Sequence, residues 1–142
     1  MRALLDINVL LALLDQQHIH HRRARDWLES ESAAGWASCA ITQNGFVRII
    51  SQPGYPNSIT PKAAIDLLGA ATMTDYHEFW PCSVSLLDPK AVDASRVHSH
   101  RQVTHAYLLA LAANARGRFV TFDQSISPSA VRGAAANQLL VL

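Results

Sequence analysis

Cysteine is nearly missing from the 142-residue chain: Cys39 and Cys82 are the two present. Two are too few for a disulfide framework or a cysteine-based zinc site. Their apolar and small neighbours predict buried free thiols. Charge is sparse as well, at 16% of residues with a net of +1, so the sum does not announce a nucleic-acid binder. What matters then is local clustering, and the nearest approach to a basic patch is Arg22, Arg23 and Arg25. That cluster suits a solvated helix face as readily as an RNA backbone. No apolar stretch is long enough for a membrane span. Asp6 interrupts the opening residues before any signal-peptide core develops, which leads to the expectation of a cytoplasmic protein. The histidines at 18, 20 and 21 match no standard zinc spacing.

Apolar residues, by contrast, make up 49% of the chain, with alanine and leucine prominent. This length and composition fit one globular domain over 1–142, able to bury roughly 68–70% of its extended surface. Ala3-Leu4-Leu5 reads as a central strand buried on both faces. Val9 to Leu14 suits a short buried helix, and His20 to Ser30 an amphipathic one carrying Ala24, Trp27 and Leu28 inward. Gly35 to Ser38 reads as a strand and Ile41 to Ile50 as a helix with Phe46, Val47, Ile49 and Ile50 toward the core. A proline-rich loop from Gln52 leads to a helix opened by Thr60-Pro61. His77 to Trp80 fits an edge strand, and a short helix is expected around Ala91 to Val97. Gln102 to Arg116 is a strong helix, with Thr104 at its N-cap and Gly117 closing it in the C′ position. Strands over Arg118 to Phe122 and Leu139 to Leu142 complete the set. The alternation predicts an α/β fold, a mainly parallel sheet between helical layers.

Two strands end in the same way: Leu4-Leu5-Asp6 and Val120-Thr121-Phe122-Asp123. Ligands of open α/β sheets bind beyond the carboxyl ends of the strands. If the two strands are near neighbours, Asp6 and Asp123 converge there, and hard carboxylate oxygens suit Mg²⁺ or Mn²⁺. The chemistry that follows is polarisation of a phosphodiester and activation of water. Each aspartate taken alone also fits a turn or a helix N-cap.

The flanks narrow the choice. Leu4 to Leu13, His18-Ile19-His20-His21, Trp27-Leu28, Ile41 to Arg48, His100 to Ala112 and Phe119 to Asp123 follow one another in an order and spacing that resemble PIN domains, in particular VapC-type toxins of bacterial toxin–antitoxin pairs. The resemblance covers nearly the whole chain. It implies a three-layer α/β/α endoribonuclease that cleaves structured RNA such as transfer or ribosomal RNA. It further implies dependence on Mg²⁺ or Mn²⁺, a homodimer, and silencing by a VapB-type antitoxin.

Such a site ordinarily draws on four carboxylates, and here two are replaced. Asp6 and Asp123 match the first and last, as metal ligands. Gln43 stands where glutamate is usual, able to order water without bringing charge. His105 stands where an aspartate opens the helix, and neutral imidazole is a poor ligand for Mg²⁺. Three accounts of His105 stay open. It weakens metal binding, as a natural or engineered lesion. It is an alternative ligand or general base. Or it points elsewhere, with Asp88 or Asp93 completing the site. Asn8 is either the N-cap of the first helix or an orienting group for Asp6 or substrate, and Thr42 and Thr104 read as N-caps. Arg22, Arg23 and Arg101 are candidate contacts to RNA phosphates. A rival reading is an impaired relative that acts by binding antitoxin or RNA. A response-regulator-like switch would need paired acids at the first strand and a late lysine, and neither is apparent.

Overall fold

A computed structural model describes all residues, 1–142. Five short strands, β1 (Ala3–Leu5), β2 (Trp36–Ser38), β3 (His77–Phe79), β4 (Arg118–Thr121) and β5 (Leu139–Val141), form one sheet in the order β3-β2-β1-β4-β5. Every pairing is parallel. The helices are α1 (Ile7–Leu14), α2 (His21–Glu31), α3 (Ala40–Ile50), α4 (Pro61–Thr72) and α5 (Val103–Asn114).

Strand periodicity divides the core in two. Side chains alternate between faces, so Ala3 and Leu5 join Val9, Leu10, Phe46, Ile50, Ala64 and Leu68 from α1, α3 and α4. Leu4 points the other way, onto Leu108, Leu109 and Leu111 of α5 and onto Trp80 and Val131 from the connecting segments. Helices therefore cover both faces, as a parallel sheet requires. All three residues of β1 are buried for that reason.

The expected elements are present with shifted ends. Asp6 caps α1, so that helix starts two residues before the expected Val9. Thr60 caps α4 by accepting from the Ala63 N–H at 3.1 Å, with Pro61 in the first turn. Four expectations need correction. Ala91 to Val97 is not an α-helix: only a 3₁₀ turn forms at Ala94–Arg96, because Val92 instead bridges to Val131 and the Asp93 N–H bonds the Ala130 carbonyl. Gln102, not Thr104, is the N-cap of α5. Cys39, not Thr42, caps α3, and Thr42 serves from the third helical position through bonds of 3.0 and 3.1 Å to the Cys39 backbone. Cys39 is buried as expected, but Cys82 is exposed, since it lies in the irregular stretch after β3.

The end of α5 is a further surprise. The left-handed residue is Arg116, at φ 57°, rather than Gly117. Glycine is required at 117 by close approach instead: a Cβ there would stand 2.6 Å from the Arg2 carbonyl oxygen and 2.5 Å from the Trp80 ring. At the amino-terminal rim of the sheet, Arg2 ties strands together. Its guanidinium donates to the carbonyls of Trp36 (3.3 Å) and Tyr76 (2.8 Å) and meets Glu78 at 3.0 Å, while its own carbonyl accepts from the Arg118 N–H at 3.0 Å. Gly117→Ala is expected to destabilise the protein by about 1–3 kcal/mol, because overpacking forces backbone to move. Urea unfolding measures it, and a change within about 0.5 kcal/mol, as at an ordinary surface position, would contradict the close approach.

Candidate active site

The site begins with a strand pairing. β1 and β4 are hydrogen-bonded neighbours with Leu5 opposite Val120, so both chains leave the sheet at the same edge. One bond extends the ladder beyond the strands, from the Asp6 N–H to the Val120 carbonyl at 2.9 Å. Asp6 is 3% exposed, and its Oδ1 accepts from the Ile7 N–H at 2.7 Å as the cap of α1.

Thr121 links the two aspartates. Buried at the end of β4, its hydroxyl donates to Asp6 Oδ2 and accepts from the Asp123 N–H at 3.0 Å. Asn8 braces this link: its amide donates to Thr121 Oγ1 at 3.1 Å, and its Oδ1 accepts from the Phe122 N–H at 3.2 Å. Asn8 is thus not the N-cap of α1, a place Asp6 already fills, but a brace one step behind Asp6. Asp123 is held in turn by Ser125, whose N–H and hydroxyl reach its Oδ1 at 2.8 and 2.7 Å.

His105 enters from the first turn of α5, and it does not point elsewhere. Its Nε2 lies 3.1 Å from Asp6 Oδ2 and its Nδ1 lies 3.1 Å from Asp123 Oδ2, with the side chain 17% exposed. One imidazole stands between the two carboxylates. The Nδ1 contact is close without being an aligned hydrogen bond, so this buried nitrogen has no good acceptor. Hydrogen bonding to Asp6 raises the His105 pKa above its ordinary value; burial opposes this, and the charges of Asp6 and Asp123 add to the rise. Asp123 titrates lower than usual, chiefly because the Ser125 N–H and hydroxyl stabilise its carboxylate, with His105 and Arg101 adding smaller effects against its burial.

The remaining candidates fall into two groups. Arg101, just ahead of α5, is exposed and near enough to act on Asp123. Arg22 and Arg23 are exposed on the first turn of α2, Arg22 reaching only Asp26 at 3.9 Å. Their helix abuts the site through His20, whose ring stacks on Phe122 with centroids 4.7 Å apart. Gln43 makes no bond to Asp6, His105 or Asp123; its amide donates to Ser38 Oγ at 3.0 Å. Asp88 and Asp93 do not complete the site. Asp88 accepts from the Lys90 N–H in a local turn, and Asp93 faces Ser95, Arg96 and Arg132. Sequence reasoning missed Thr121 and Ser125, although a hydroxyl two residues to either side of Asp123 was the available signal.

A divalent ion does not fit this donor set as it stands. The imidazole occupies the gap between the carboxylates, Asp6 Oδ1 and Asp123 Oδ1 are engaged by the chain's own donors, and no group of three acidic, histidine or cysteine side chains is arranged to hold a metal.

Residues 3–128 match the PIN domain family, and the chain belongs to it. Its relatives narrow the class. It is 64% identical over 142 residues, the full length of both chains, to Ribonuclease VapC44 of Mycobacterium tuberculosis. It is 46% identical over 134 residues to Ribonuclease VapC39 of the same organism, covering 94% of this chain and 96% of that one. With Ribonuclease VapC29, also from that organism, identity is 40% over 127 residues, 89% of this chain and 90% of the relative. Within the PIN family this is a protein of the VapC ribonuclease toxin type.

The raised pKa of His105 has a consequence for stability. A histidine whose folded pKa exceeds its unfolded value, about 6.5, stabilises fully below that value and loses the contribution as pH rises through the folded one. The stability difference between the native chain and His105→Gln, followed by urea unfolding from about pH 5 to about pH 9, is expected to be largest at the acid end. A difference that does not vary with pH would show that the ring gains nothing from its carboxylates.

Proposed function

We propose that the chain, acting as one domain over 1–142, is an endoribonuclease toxin that cleaves structured RNA, transfer or ribosomal, with activity lowered by His105. The observation that supports this reading is the convergence of two strand-end aspartates on one imidazole. Asp6 and Asp123 are the acidic pair, in the place where Mg²⁺ or Mn²⁺ would serve a PIN nuclease, and Gln43 and His105 take the other two site positions. With His105 between the carboxylates, the ion's place is contested.

What the chain's own residues do is orient. Thr121, Asn8 and Ser125 fix the aspartates in direction, which is where preorganised charge acquires its catalytic value. Arg101, beside Asp123, and Arg22 and Arg23, on the helix that abuts Phe122, suit the RNA backbone, since phosphate contacts position a nucleic acid. A VapB-type antitoxin as partner, a homodimer and a cytoplasmic place complete the reading. Names of relatives support the antitoxin. No helix is long and apolar enough to cross a membrane.

The decisive comparison sets the native chain beside His105→Asp in cleavage of purified transfer and ribosomal RNA, with and without Mg²⁺ or Mn²⁺. An acid in the first helical turn meets the positive end of the helix dipole and restores a third anionic ligand. Cleavage is expected to rise at least tenfold, roughly 1.4 kcal/mol in barrier, and to vanish on adding Asp6→Asn. Equal metal-dependent cleavage by both proteins would refute the lowered activity. Absence of cleavage in both, with antitoxin or RNA still bound, would assign the chain to binding alone.

A further inference from the structure

A second polar chain starts at the same edge of the sheet and runs back toward the amino-terminal end of β3. Ser38, fully buried at the end of β2, has its Oγ 2.7 Å from His77 Nε2 on the edge strand β3 and 3.0 Å from the Gln43 amide nitrogen in α3. The parallel pairing of β2 with β3, which sets Trp36 against His77 and Ser38 against Phe79, keeps His77 beside β2. The His77 ring packs on Trp36 at 4.4 Å between centroids, which fixes its plane. Gln43 has no other side-chain bond, and it borders a groove of about 270 Å³ between α3 and α4 that also touches Asn44 and Ile65.

We infer that His77 is a positioning residue for Gln43: through Ser38, the ring sets which end of the Gln43 amide is turned away from the sheet. The inference rests on Gln43 belonging to the nuclease site proposed above. Donors and acceptors must match along His77, Ser38 and Gln43. Ser38 has one hydroxyl proton to give. If His77 Nε2 is bare, Ser38 donates to it, must accept from the Gln43 amide, and leaves Gln43 Oε1 free as an outward acceptor. If Nε2 carries a proton, Ser38 accepts from the ring and its own proton is released for Gln43 Oε1, so the amide is no longer held with its oxygen outward.

The structure has the first arrangement, with the Gln43 nitrogen on Ser38. A neutral ring agrees with it, because burial and then the nearby Arg2 guanidinium lower the His77 pKa, against a smaller opposing effect of Glu78. The outcome suits the site. A glutamine in a position where the resemblance expects glutamate can replace only the acceptor function, and only with its oxygen facing out. An edge-strand histidine thereby supports the amide's stand-in role without touching substrate.

Three readings on the full chain test this. In ¹⁵N-labelled protein, long-range ¹H–¹⁵N correlations of the imidazoles are expected to place the His77 proton on Nδ1 and leave Nε2 bare; a proton on Nε2 overturns the inference. In Ser38→Ala the order parameter of the Gln43 side-chain amide is expected to fall by at least about a third, and an unchanged value also overturns it. For catalysis, in the His105→Asp protein, His77→Phe is expected to lower kcat roughly three- to tenfold, the scale of one hydrogen bond, with KM unchanged. Gln43→Ala should do the same, and the two together should cost no more than either alone. Additive losses refute a shared role. If no variant cleaves RNA, the nuclease reading fails, and the two spectroscopic results still decide this one.

Discussion

The register of β1 against β4 is the constraint from which the site follows. Because Leu5 lies opposite Val120, Asp6 and Thr121 leave the sheet side by side although 115 residues separate them in sequence. A slip of one residue would turn every side chain of one strand to the other face, sending Leu4 and Leu5 into the wrong halves of the core as well as parting Asp6 from Thr121. Packing and site geometry thus depend on the same alignment. The apolar alternation that divides the core also aims the carboxylates.

Within that frame, His105 is both anomaly and keystone. Two carboxylates forced together would repel, and an imidazole with a raised pKa between them relieves that repulsion. A ring from the chain's own α5, holding its proton to higher pH than usual, stands where the resemblance assigns an ion from solution. Asp6, Thr121 and Asp123 are placed by backbone and hydroxyl donors that do not depend on His105, so the anionic scaffold is built independently of what fills it.

Much of this was legible in the sequence because it is local or periodic. Strand ends at Asp6 and Asp123, the Thr60-Pro61 helix start and the apolar alternation of β1 can each be read from a few adjacent residues. What escaped depends on distant partners. Thr104 and Thr42 look like N-caps, yet Gln102 and Cys39 begin those helices, since residues ahead of them already adopt helical turns. Gly117 has the signature of a left-handed cap but is glycine because Arg2 and Trp80 crowd it. The segment from Ala91 to Val97 has helical composition, and pairing of Val92 with Val131 overrides it. The approach of His105 to both aspartates depends on where α5 lies across the sheet, which no short window of sequence contains. The bond between Ser38 and His77 needs the β2–β3 register for the same reason.

Arg2 gives the sheet an asymmetry with a mechanical meaning. One side chain and its carbonyl lace β2, β3 and β4 together at the amino-terminal rim. The opposite rim is joined by separate links: backbone bonds from Asp6 to Val120, Trp80 to Ser38 and Leu142 to Thr121, each of 2.9 Å, and the side-chain bond from Thr121 to Asp6. Loss of Arg2 would therefore loosen three strands at once, whereas loss of one link at the other rim would loosen a single pair.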